Sequence, residues 1–375
     1  MWSSEEAIQR RIVELGVPRG MRRREGQRRI VYERNTPPWA RGWIDTIAAD
    51  CDPAISHYVS ACIVAEKRGD NEPNLRQRIY SRGARGIEYG NSFLAALTIV
   101  QRIQEILYRP AMVMLGRRLA AAPKRVLPVE HAVEHMLDEA RETVSTLTAP
   151  QSADQLIRAL AAYRRGESSG TSLERIVSDT ASGKAYRNAT AAMGFGIAHE
   201  LAHHLLDHGV AARQGSDNHP PGRRLLTEWR RGIGFEQDTR HSRPHQRELD
   251  ADAFAVLLLS GQRTDGATGL LSAGMASHCV LTLSLMEDQD ARSLDVPSRS
   301  HPTFRTRMIN LLEHNYLAFD EYREPLDSIV DLGRPARRHP SSFMLQNVYM
   351  AQVTGLLIDL ATPRLAGASF GLRRW

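Results

Sequence analysis

The sequence predicts a mainly α-helical protein with room for no more than a small edge sheet. Apolar residues recur at helical spacing over residues 91–108, where Phe93, Leu94, Leu97, Val100, Ile103, Ile106 and Leu107 share one side. A second segment, 246–260, closes on the run Ala253-Phe254-Ala255-Val256-Leu257-Leu258-Leu259, which reads as a buried helix. Strand signals are confined to short runs at 57–64 and 176–177.

The elements follow in order. Pro110 is expected to end the 91–108 helix. An amphipathic helix follows Pro128 over 129–147, and Ser152 with Gln155 gives a capping-box start to a helix reaching Arg165. Gly166-Glu167-Ser168-Ser169-Gly170-Thr171 then breaks the pattern. This break divides a helical N-terminal region, 1–165, from a catalytic domain, 166–320, followed by a helical C-terminal extension, 321–375. Within the catalytic part, helices are predicted at 189–207, 246–260, 270–288 and 303–314. Glycines and prolines make 210–245 mostly loop, a rim segment able to gate access.

Composition excludes several classes. The 375 residues are 42% hydrophobic and 25% charged, an ordinary globular balance. The least polar long run, 269–286, carries His278 with several serines and threonines, so it reads as a buried helix and not a membrane span. Met1-Trp2-Ser3-Ser4-Glu5-Glu6 is the wrong order of features for a secretory signal. Three cysteines, Cys51, Cys62 and Cys279, form no C-x-x-C pair, so a cytoplasmic chain is expected. The net charge of +6 and the cluster Arg22, Arg23, Arg24, Arg28 and Arg29 invite nucleic acid, but the stretch lacks interleaved aromatics and any binding module. A protein or peptide substrate is the partner expected, and the oligomeric state is left open.

The chemistry is carried first by His199-Glu200-Leu201-Ala202-His203, an H-E-x-x-H pattern. At i and i+4 the two imidazoles stand on one helix face and can meet one Zn²⁺, while Glu200 sits beside the open metal position as general base. Glu248-Leu249-Asp250-Ala251-Asp252 supplies the second element, with Glu248 and Asp252 on one face of the next helix. Glu248 completes a His₂Glu ligand set, and Asp252 can accept the free ring N–H of a ligating histidine.

A third element is Ser300-His301-Pro302 followed by Arg307-Met308-Ile309. In this order the three elements resemble the gluzincin metallopeptidases related to HtpX and the CAAX prenyl proteases, over roughly 192–313. The resemblance implies a zincin-like helical core with His199, His203 and Glu248 as zinc ligands, Glu200 as base and Asp252 as orienter. His301 and Arg307 match the family's late His-Pro and Arg positions. For Arg307 it implies support through carboxylate pairing. His301 is left three roles: lining the cleft, stabilising the oxyanion, or closing the metal's fourth position. The phage-exclusion peptidase Lit and its relatives form a second, more distant resemblance, which implies a defence-type role.

Competing patterns are weaker. His208 falls one residue short of a metzincin third ligand, and Leu206 replaces its glycine. His131-Ala132-Val133-Glu134-His135 reads as an inverted zinc motif but has no acid helix after it. Gly194-Phe195-Gly196 lacks the third glycine and preceding strand of a dinucleotide loop. The reading is therefore a zinc endopeptidase without a covalent step. The alternative is a regulatory, defence-type or nucleic-acid-associated protein with a structural or vestigial zinc site.

Overall fold

A computed structural model describes residues 31–32, 38–68, 75–79, 85–121, 151–164, 167–180, 183–206, 222–236, 241–261 and 301–318, with 275–276, 278–280, 282, 297 and 299 besides. Among these the chain runs β1 (Val31–Tyr32), α1 (Pro38–Asp50), α2 (Pro53–Ser60), β2 (Ile63–Arg68), β3 (Leu75–Ile79), β4 (Arg85–Gly90) and α3 (Asn91–Ala121). It continues as α4 (Gln151–Arg164), α5 (Gly170–Thr180), α6 (Gly183–Leu205), α7 (Gly222–Ile233), α8 (Arg243–Ser260) and α9 (Phe304–Ala318). The mainly helical class is as predicted. No helix among the described residues is long and apolar enough to cross a membrane.

Helix α6 is the centre of the packing, in contact with α8, α3, α1 and β3. Every residue from Ala192 to Leu205 is buried, so this helix has no solvent face along its last four turns. Alanines and glycines make that possible by letting neighbours approach from all sides. A Cβ on Gly194 would lie 2.4 Å from the Trp43 ring of α1, and one on Gly196 2.4 Å from Leu75 of β3. Trp43 is anchored as well by its indole N–H, which donates to Thr190 O at 3.2 Å.

The four strands form one sheet in the order β1-β2-β4-β3. β2 and β4 are parallel, Ile63 opposite Gly86 and Lys67 opposite Gly90, while β3 runs antiparallel to β4 with Leu75 opposite Tyr89. His204 near the end of α6 makes a 2.8 Å hydrogen bond with Gly86 O, which ties the central helix to β4. One hydrophobic cluster joins Ile44, Ile87, Leu97, Phe195, Phe254 and Met308, so elements on both sides of residue 165 share a core.

Several local expectations are corrected. Residues 57–60 close α2, and the strand begins only at Ile63. Residues 176–177 lie inside α5, where apolar residues face the shared core. Helix α3 does not stop at Pro110 but continues to Ala121; it gives up the hydrogen bond that the proline nitrogen cannot make. Its packing along α4, α5 and α6 offsets that loss. α4 begins at Gln151, so Ser152 lies inside its first turn and not ahead of it. The interval 210–245, expected to be mostly loop, holds among its described residues the twelve-residue helix α7, whose Leu225, Leu226 and Trp229 pack inward. α8 starts three residues earlier than predicted: Ser242 caps it, and Pro244 occupies its first turn, where a missing N–H costs nothing. The predicted 129–147 helix lies outside the described residues, whereas residues 275–276, 278–280 and 282 are helical as expected for 270–288.

Substitution at Gly194 tests the close approach. Alanine there gains up to ~1 kcal/mol of helix propensity but overpacks against Trp43 at a cost of about 1–3 kcal/mol. Urea denaturation should show Gly194→Ala as a net loss of stability. Gly232→Ala, where an added Cβ meets nothing within 4 Å, should be neutral or stabilising.

Candidate metal centre

The last turns of α6 present His199 and His203 one helical turn apart, and the second turn of α8 presents Glu248 opposite them. The two Nε2 atoms are 3.0 Å apart. Glu248 reaches both, with Oε2 3.3 Å from His199 Nε2 and Oε1 3.4 Å from His203 Nε2. Among the described residues these three form a group able to hold a metal ion, with donor atoms all within 4.8 Å of one another.

The spacing bears on what fits. Donors held ~2.0–2.1 Å from a tetrahedral zinc stand about 3.3 Å from each other; the two Nε2 atoms stand 3.0 Å apart, and each has a different Glu248 oxygen at 3.3 or 3.4 Å. Three donors at one face of a tetrahedron leave a fourth position open.

The charge balance points the same way. Burial would pull the His199 imidazole down, but the carboxylates of Asp252 and Glu248 outweigh it and push the group up to about 10. Burial would likewise raise the Glu248 carboxyl, yet His203 and His199 hold it well below the usual carboxylate range. The pocket thus has enough negative charge to keep a proton on a buried imidazole, and a cation on Nε2 would take the place of that proton.

Behind the donors lies a buried relay. His199 Nδ1 stands 2.9 Å from Asp252 Oδ1, in a contact bent away from the ideal N–H line. Asp252 receives Arg307 of α9 through two bonds, Nε to Oδ2 at 2.7 Å and Nη2 to Oδ1 at 2.6 Å. Asp252 and Arg307 are 0% and 1% exposed. Burial raises the Asp252 carboxyl, and the Arg307 guanidinium overrides it, so the group stays ionised.

The remaining expected residues are also here. Glu200 is buried on α6 next to His199, near enough to Cys279 to help raise its thiol, which burial foremost pushes up to about 12. His301 Nε2 lies 3.4 Å from Glu248 Oε2 at the exposed side of the centre, and burial lowers its imidazole to about 4 although Glu248 pulls the other way. The inverted motif around His131, Glu134 and His135 lies outside the described residues.

A second polar cluster escaped the sequence reading. Arg230 of α7 donates through Nη1 to Asp250 Oδ1 of α8 at 2.7 Å and through Nε to His314 Nε2 of α9 at 3.1 Å. His314 Nδ1 donates to Asn310 O at 2.7 Å, which leaves Nε2 free of a proton to accept from Arg230. The His314 ring stacks on Phe235 at 3.8 Å and on Trp229 at 5.4 Å between centroids. Burial foremost, with Arg230 adding, lowers His314 to about 3. The one available sequence signal was the helical spacing of Leu225, Leu226 and Trp229, masked by the arginines around it.

Two measurements follow. Arg307→Met strands the buried Asp252 charge and should cost about 3–5 kcal/mol in urea unfolding of the metal-stripped protein; adding Asp252→Asn should recover part of it. For His314 the folded value is below the unfolded one, so its contribution is complete above pH ~6.5 and is lost as pH falls towards 3. Between pH 6 and pH 4 the wild type should lose stability faster than His314→Gln by up to ~1.4 kcal/mol per pH unit.

The family model of Peptidase U49 matches residues 130–324, a span that contains the His-His-Glu group, Asp252 and Arg307 and begins ahead of the predicted boundary at 166. No curated protein and no solved structure matches the chain. Of the two resemblances drawn from the motifs, the match supports the Lit-like one and brings no HtpX or CAAX prenyl protease relative. More than half of the chain lies within that match, and the chain belongs to the Peptidase U49 family, a Lit-like family of peptidases.

Proposed function

We propose that the chain is a zinc-dependent endopeptidase that hydrolyses peptide bonds of a protein substrate, with His199, His203 and Glu248 as ligands and Glu200 as general base. The observation that carries the reading is the convergence of His199, His203 and Glu248, one donor atom of each within 4.8 Å of the others; three such ligands suit a tetrahedral ion with one open position. Family membership supports peptide-bond hydrolysis as the reaction.

When bound, zinc would supply Lewis acidity that lowers the pKa of a water and polarises the scissile carbonyl. The chain's own groups do the rest. Asp252, fixed by Arg307, holds the His199 ring so that Nε2 and not Nδ1 faces Glu248 and His203. Glu200 takes a proton from the attacking water and returns it to the leaving amine nitrogen. His301, kept neutral by burial, is placed beside Glu248 to donate a ring N–H to the carbonyl oxygen as it gains charge. An intact Glu200 argues against a purely structural ion, since a closed structural site uses a fourth protein ligand and has no need of a base.

The Lit-like family supports one narrower reading, a defence-type use of the same peptidase. Cys51, Cys62 and Cys279 are buried thiols in no disulfide, which suits a reducing compartment and hence the cytoplasm.

Elemental analysis of untagged protein should give about one zinc per chain. His203→Ala should lose it and His135→Ala keep it. Glu200→Gln should keep zinc while hydrolysis of fluorescent casein falls by about 10²–10⁴-fold. Wild type without zinc, or zinc lost with His135 alone, would refute the assignment.

A further inference from the structure

We propose that Arg230 is a positioning residue of the metal centre: from α7 it fixes the rotation of α8 about its own axis and so the place of Glu248. The proposal rests on the reading of Glu248 as a ligand. Arg230 touches none of the three proposed ligands in any hydrogen bond described above, so it acts through Asp250.

The geometry is a grip from two sides. At ~100° per residue, Asp250 projects about 200° round the helix from Glu248, whereas Asp252 projects nearly alongside it. Arg307 of α9 holds Asp252 at 2.6 and 2.7 Å. Arg230 of α7 holds Asp250 at 2.7 Å, and Gln246 Nε2 reaches the same oxygen at 2.9 Å. The packing of α8 on α6 and α9 sets its place, and two arginines on opposed faces add directional bonds that resist rotation in either sense.

Small rotations matter at this radius. A carboxylate about 5–6 Å from the axis moves ~1 Å for each 10° of turn, several times the ±0.2 Å tolerance of a metal–ligand distance.

Arg230 is itself immobilised. It is 7% exposed, donates to a His314 whose ring is stacked on Phe235, and lies with Cζ 5.1 Å from the Phe235 ring centre. Its Nη2 is buried without a partner among the described residues. Buried donors are seldom left so.

The test compares wild type, Arg230→Met and Arg230→Lys in two measurements. Amide hydrogen exchange is followed in the metal-free proteins, and zinc affinity by competition with a chromophoric chelator. Arg230→Met should speed exchange at residues 246–252 at least tenfold while residues 196–203 keep wild-type protection. It should also weaken zinc by roughly tenfold. Arg230→Lys restores the Asp250 pair but not both bonds at once, and should recover most of each loss.

Unchanged exchange at 246–252, or a rise shared equally by 196–203, overturns the proposal and marks Arg230 as ordinary core. Should Arg230→Met not fold, Asp250→Asn, which removes the charge that Arg230 holds, is measured in its place with the same expected and overturning results. A wild type that binds no zinc overturns the metal reading alone, because the exchange data still judge whether Arg230 fixes α8.

Discussion

The centre depends on one carboxylate placed where water cannot reach it. Asp252 is wholly buried, and an ionised group there is tolerable only because Arg307 meets it with two short bonds. Everything else takes its position from that pair. Asp252 lies 2.9 Å from His199 Nδ1, so that Nε2 is the ring nitrogen on the Glu248 side, and it joins α8 to α9 through Arg307. A hydrophobic pair in the same place could join the helices as firmly, but it would leave the imidazole free to choose its tautomer.

The chain can sustain such a pair because α6 is enclosed on every side. Trp43, Leu75 and Cys279 each approach at a glycine, so the helix that bears His199, Glu200 and His203 is held by bulky neighbours and not by its own side chains. Rigidity of this kind suits a constellation whose parts must hold their spacing to a fraction of an ångström.

The site was more legible in the sequence than the frame around it. His199 and His203 follow from i,i+4 spacing, and Glu248 and Asp252 from the same spacing on a helix whose apolar run announces burial; these are local regularities that a reader of one strand of text can see. Arg307 was legible only through the order of motifs, since nothing about an arginine on a helix reveals that it faces an acid fifty-five residues away. Arg230 was invisible for a related reason. In a chain rich in arginine, its neighbours Arg223, Arg224 and Arg231 disguise the one that turns inward. The strands were hard because β2, β3 and β4 pair through long-range hydrogen bonds, and 57–60 takes its helical form from the Asp52 cap and Pro53 despite a β-like composition. Pro110 misled because a rule about isolated helices yields to packing on three neighbours.

His203 and His204 occupy the last turn of α6, which ends at Leu205. The carbonyl end of a helix carries the equivalent of about half an elementary negative charge. Affinity for a cation held by these imidazoles would thus be partly a property of the backbone, drawn from peptide dipoles that no side-chain substitution removes. Glu248 lies in the second turn of α8, beyond the first turn where the backbone field is felt, so its carboxylate depends on side-chain partners. The direction in which α6 runs therefore favours a cation at the end that carries His203, and moving that imidazole to the amide end would set the cation against the field of its own backbone.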